Sequence, residues 1–94
     1  MAKYLGKLYI TKYFQHVNIH GETIYGRIYK SKLTNDYGIA LDDGTMLRCY
    51  YSKVAKKYVE ISSTRYASRD IACMSARNYV IRKARRKYDE TSVL

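Results

Sequence analysis

The chain has 94 residues, with 18 Lys+Arg against 8 Asp+Glu and a formal net charge of +10 at pH 7. That length holds one small domain with one core, so residues 1–94 are read as a single domain. No apolar run approaches the ~18 residues of a membrane-spanning helix. Met1-Ala2-Lys3-Tyr4 leads into alternating residues instead of the apolar block of a secretory signal. The expected setting is the cytoplasm, and a membrane partner is not expected.

Leu, Ile, Val and Phe total 20 residues, about 21% of the chain, near the ~20% below which highly charged chains stay disordered. Twelve Tyr shift the balance. A Tyr buries a large ring and needs a hydrogen-bond partner only at its tip, so several must pack in the core. The others remain available for function. Proline is absent, and there is no low-complexity linker or internal repeat. Cys49 and Cys73 are too few for a disulfide framework in such a chain, and both read as small apolar residues.

Taken in chain order, the first part has a two-fold period. Tyr4 to Phe14 reads as a strand, and Val17-Asn18-Ile19 as a short one ending at His20-Gly21. Ile24 to Tyr29 alternates, with Ile24 and Ile28 on one face and Tyr25, Arg27 and Tyr29 on the other. Leu33 to Leu41 and Met46 to Tyr51 make a hairpin around Asp42-Asp43-Gly44, where Gly44 takes a positive φ. Ser52 to Lys57 is read as a loop or a short helix. Tyr58 to Ser62 is a fifth strand, and Ser62-Ser63-Thr64 a loop before a helix.

From Ser68, an N-cap, to about Tyr88 the period becomes helical, with Asp70 in the first turn. Cys73, Ala76, Val80 and Ala84 form one stripe, flanked by Ala72, Tyr79 and Tyr88. Ser75, Asn78, Arg82, Arg85 and Arg86 lie opposite. Residues 89–94 read as a tail. The small side chains on the stripe let the helix approach a sheet closely. The expected fold is α+β: a small, strongly bent antiparallel sheet of four or five strands, SH3-like or OB-like in curvature, then a C-terminal amphipathic basic helix. Gly21 and Gly26 suit the bend.

The charge is concentrated. Residues 1–47 hold six basic and four acidic side chains (net +2); residues 48–94 hold twelve basic and four acidic (net +8). Arg82-Lys83-Ala84-Arg85-Arg86-Lys87 places five cations in six residues. Adjacent like charges destabilise a helix by a few tenths of a kcal/mol per pair, so a return is expected, either a polyanion or the favourable dipole at the helix C-terminus. Lys53, Lys56 and Lys57 lie among Tyr50, Tyr51 and Tyr58. Basic residues track phosphates and exposed rings stack on bases. Tyr25 and Tyr29, either side of Arg27, repeat the pattern.

Chemistry of other kinds finds little footing. His16 and His20 flank a strand-like segment, and neither pairs with Cys49 or Cys73 at a recognised metal spacing. Asp42-Asp43-Gly44 is first a turn. There is no Gly-rich phosphate loop. No cofactor or metal is expected, and the protein is read as non-catalytic.

The sequence therefore points to a nucleic-acid-binding protein for DNA or RNA. Lys53, Lys56, Lys57, Asn78, Arg82, Lys83, Arg85, Arg86 and Lys87 contact phosphates, and Tyr50, Tyr51, Tyr58, Tyr25 and Tyr29 are stacking candidates. The rival reading meets the same cations with an acidic protein surface. A composition rich in Lys, Tyr and Ile, without Trp or Pro, also suits a short phage accessory protein. Such a protein would bind and modulate a larger host protein, such as a nucleic-acid-processing enzyme or RNA polymerase, in the host cytoplasm.

Overall fold

A computed structural model describes residues 9–92, with side chains described for residues 13–90. Five strands, β1 (Tyr9–Val17), β2 (Thr23–Lys30), β3 (Asp36–Leu41), β4 (Thr45–Ser52) and β5 (Lys57–Arg65), precede one helix, α1 (Arg69–Ser92). The strands pair in chain order, each antiparallel to the next. This is the α+β architecture expected from the sequence.

The turns follow from their residues. In the β1–β2 turn, Asn18 Oδ1 accepts from the backbone N–H of His20 at 2.9 Å and of Glu22 at 3.0 Å. Gly21 there has φ +79°, a region closed to most side chains. In the β3–β4 turn Gly44 has φ +93°, and the Thr45 N–H donates to Asp43 Oδ1 at 3.0 Å. The Asp-Asp-Gly turn thus forms as its sequence requires.

The sheet curls. Ile28, Tyr37, Ile39, Leu41, Leu47 and Cys49 are buried on its inner face, with Phe14, Ile24, Tyr51 and Tyr58 packed around them. Phe14 on β1 and Tyr58 on β5 meet edge to face at 6.2 Å. These strands stand at opposite ends of the strand order, so their contact closes the sheet into a half-barrel. Register shifts between Ile10 and Tyr13 and between Arg48 and Cys49 help the bend. At Gly26 a Cβ would stand 2.6 Å from the Ala40 carbonyl oxygen. The β2–β3 crossing therefore requires glycine.

The outer face carries α1. Ala40 and Met46 of the sheet pack against Ala72, Ala76, Tyr79 and Val80, with Tyr29, Tyr66 and Cys73 at the margin. Ser68 caps the helix: its Oγ accepts from the Ile71 N–H at 3.3 Å, and its carbonyl accepts from the Ala72 N–H at 3.1 Å.

Several boundaries differ from the sequence reading. Val17-Asn18-Ile19 is not a separate strand; Val17 ends β1 and Asn18 opens the turn. Leu33 to Asn35 belong to the β2–β3 loop, because the Leu33 N–H turns to Ser31 Oγ. Between Ser52, which ends β4, and Lys57, which opens β5, residues 53–56 form a turn and no helix, with Lys56 at φ +57°. Ser62, Ser63 and Thr64 lie in β5, paired with Arg48, Leu47 and Met46. The helix passes Tyr88 and runs to Ser92, so residues 89–92 are helical. Ser75 does not face solvent with the arginines; its hydroxyl donates to Tyr66 Oη at 2.7 Å. The part of the first strand expected before Tyr9, and Val93 and Leu94, lie outside the described residues.

Candidate functional site

Charge and geometry converge beside α1. On β4, Met46 and Arg48 point to the helix side while Leu47 and Cys49 point inward. Arg48 is thereby carried under the flank of α1, with its guanidinium 4.9 Å above the Tyr79 ring. Lys83 Nζ stands 5.8 Å from the same ring. Arg48, Tyr79, Arg82, Lys83 and Arg86 line a cleft of about 210 Å³. Four of its five lining residues are cationic and none is acidic. Arg48 Nε is buried and has no hydrogen-bond partner; buried donors are nearly always paired.

The helical spacing supplies the rest. Tyr79, Lys83 and Arg86 fall three or four residues apart, and Arg82 flanks them, so one side of α1 faces β4. Tyr79 is held from below, its hydroxyl donating to Asp36 Oδ1 at 3.3 Å. Burial, the Asp36 charge and that hydrogen bond push the Tyr79 phenol up to about 12, against the opposing pull of Arg48. The cleft thus has a neutral aromatic floor and a cationic rim.

Lys83, Arg86 and Lys87 also border the β2–β3 loop, lining a second cleft of about 300 Å³ with Leu33, Thr34, Asn35, Asp36 and Glu90. That loop adjoins the end of β4: Asp36 is paired with Tyr50, and Asn35 Nδ2 donates to the Tyr51 carbonyl at 2.7 Å. Lys53, Lys56 and Lys57, exposed at the β4–β5 turn, are therefore at the same end of the sheet as the basic end of α1. Asn78 and Arg85 are exposed on the outer face of the helix. The two basic segments, separate in sequence, share one end of the molecule.

The tyrosines divide. Tyr50 is exposed on the helix side of β4. Tyr51 and Tyr58 are not available as stacking rings: they pack edge to face at 5.4 Å, and Tyr58 also meets Tyr37 at 4.9 Å. Tyr29 is removed as well, packed under α1. Its phenol is pushed up to about 12 by burial and by hydrogen bonding and charge at Cys73. Tyr25 stays half exposed. In each case a face shared with the core outweighs interleaving with cations in the sequence.

Arg48 and Tyr79, which line the cleft, are not among the residues that the charge pattern of the sequence singles out. For Arg48 the signal was the alternation Met46-Arg48-Tyr50 against Leu47-Cys49-Tyr51. Nothing in the sequence placed that face under the helix.

Among the described residues no group of three His, Cys, Asp or Glu side chains could hold a metal ion. His16 stacks on Phe14 at 6.3 Å, while His20 is exposed in the turn. Cys49 lies in the inner core and Cys73 at the margin of the outer one. Burial, with Glu60 nearby, pushes the Cys49 thiol up to about 11, far from a reactive thiolate at neutral pH. No helix among the described residues is long and apolar enough to cross a membrane. Comparison with known protein families, curated proteins and solved structures found no match.

Proposed function

We propose that this chain is a non-catalytic nucleic-acid-binding protein that grips the phosphate backbone along the C-terminal half of α1. The observation that carries the reading is the cleft of Arg48, Arg82, Lys83 and Arg86 over Tyr79, which has no lining carboxylate. An oxyanion there would meet cations from two elements whose positions packing has already fixed. It would also offset the cost of leaving a buried guanidinium donor unpaired. Lys87 and the β4–β5 lysines extend the field beyond the cleft. Contacts of this kind position a nucleic acid without reading its sequence.

The test is a salt-titrated binding assay of protein freed of nucleic acid, against duplex DNA, single-stranded DNA and RNA. Expected is micromolar or tighter binding near physiological salt, with a log–log slope of about −4 or steeper. Arg82→Ala with Arg86→Ala removes up to two phosphate contacts and flattens the slope by about 2, whatever the sequence. An unchanged slope in that variant would take α1 out of the site. Weak binding of all three nucleic acids would turn the cleft toward an acidic surface on a protein.

A further inference from the structure

We propose that the preferred nucleic acid is single-stranded, and that Tyr13 and Tyr25 form the platform on which its bases stack. This rests on the nucleic-acid reading above and adds the form of the partner.

The helix packs on β3, β4 and part of β2, and two rings on the outer face of the β1–β2 pair remain in the open. Tyr13 is 70% exposed and Tyr25 50%. The register pairs Tyr13 with Arg27 and Gln15 with Tyr25. The two rings are thus diagonal neighbours on one face, within reach of a common ligand.

Arg27 sits between them, in contact with both Tyr13 and Asp42. Its guanidinium is 5.8 Å from the centre of the Tyr13 ring and 3.5 Å from Asp42 Oδ1. Tyr13, Tyr25, Gly26, Arg27 and Asp42 line a concavity of about 430 Å³. It offers ring faces for stacking, a guanidinium plane and a carboxylate acceptor for base amino groups. Arg27 and, from α1, Arg77 both stand near enough to Tyr29 to pull against the rise of its pKa. Arg27 is thus the cation beside the two rings, with Arg77 further toward the helix at Tyr29.

Duplex geometry cannot use such a surface, because paired bases hide their faces in the stack. An unpaired strand can splay its bases onto the rings, independent of sequence.

The experiment compares one DNA sequence as a single strand of about 16 nucleotides and as its duplex, using the full chain. Wild type is expected to favour the single strand. Tyr13→Ala with Tyr25→Ala should weaken single-strand binding by about tenfold or more and leave duplex binding unchanged. Tyr13→Phe with Tyr25→Phe keeps the ring faces and should keep the affinity. Circular dichroism checks that the variants fold, and the exposure of both rings makes them tolerant sites. A single strand carrying 5-iodouracil should photo-crosslink to Tyr13 or Tyr25 in the wild type. Duplex binding as tight as single-strand binding, or an alanine variant that binds single strands like wild type, overturns the platform and leaves the phosphate reading standing. Failure to bind any nucleic acid overturns both.

Discussion

Tyr79 shows how one side chain joins stability to the candidate site. It is buried under α1, supports the Arg48 guanidinium on its ring face, and donates its hydroxyl to Asp36. Burial, followed by the Asp36 interaction, raises its pKa from 10.0 to about 12. The unfolded chain therefore ionises this phenol first as pH rises. The contribution is fully present below pH 10 and is lost as pH climbs through about 12. At 1.36 kcal/mol per unit the stability lost over that range is on the order of 2–3 kcal/mol. Tyr79→Phe should cost about 1 kcal/mol at neutral pH, from the lost hydrogen bond. It should then lose less stability than wild type on going from pH 10 to about 12, since one raised phenol has been removed. Thermal unfolding across that range checks this, and parallel curves for the two proteins would contradict it. Tyr29 carries a similar shift, so the variant still softens, by less.

At the level of elements, the contact of α1 with β3 sets the architecture. A Cβ at Gly38 would stand 2.5 Å from the Ala76 carbonyl oxygen. Backbone lies on both sides of that contact, so neither side yields cheaply. Gly38→Ala should push the helix off the sheet and destabilise the fold by about 1–3 kcal/mol. In a domain of this size that lowers Tm by roughly 4–8 °C per kcal/mol, and a variant with unchanged Tm would refute the close approach. Small residues at Ala76 and Ala84 made such an approach legible in the sequence, as did alternation for β2 and Asp-Asp-Gly for the β3–β4 turn. Residues Tyr37 to Leu41 are all buried, because the curled sheet covers one side and α1 the other. The same long-range packing decided the tyrosines. Tyr51 and Tyr58 interleave with lysines in sequence, yet their rings fill the half-barrel. Local pattern reports which residues share a face; it does not report what lies above that face. The basic end of α1 was legible as a run, while its partner Arg48 lies more than thirty positions away and was not.

For the whole molecule the governing quantity is the placement of a net +10 charge. The ion pairs Arg27–Asp42, Arg65–Asp43 and Arg69–Asp70 lie away from the C-terminal half of α1, and exposed pairs of this kind contribute little. The cations of residues 82–87 and Arg48 gather at one end of the molecule, where they outnumber the neighbouring Asp36, Asp89 and Glu90, and an anion that joins them stabilises the folded state. Two effects of salt can be separated. Chloride screens these charges without needing a site, whereas inorganic phosphate at equal ionic strength also fills the cleft. At ten times its Kd a bound ligand adds about 1.4 kcal/mol, several degrees of Tm in a domain of this size. Phosphate stabilises most proteins through exclusion from their surfaces, so the useful quantity is the difference between wild type and Arg82→Ala with Arg86→Ala. Wild type should gain more Tm from phosphate over chloride than the variant does. Equal gains would mean that the charge acts as a diffuse field with no oxyanion seat. The nucleic acid would then be held by the number of cations facing it, and Arg48 would be a structural residue that happens to lie beneath the helix.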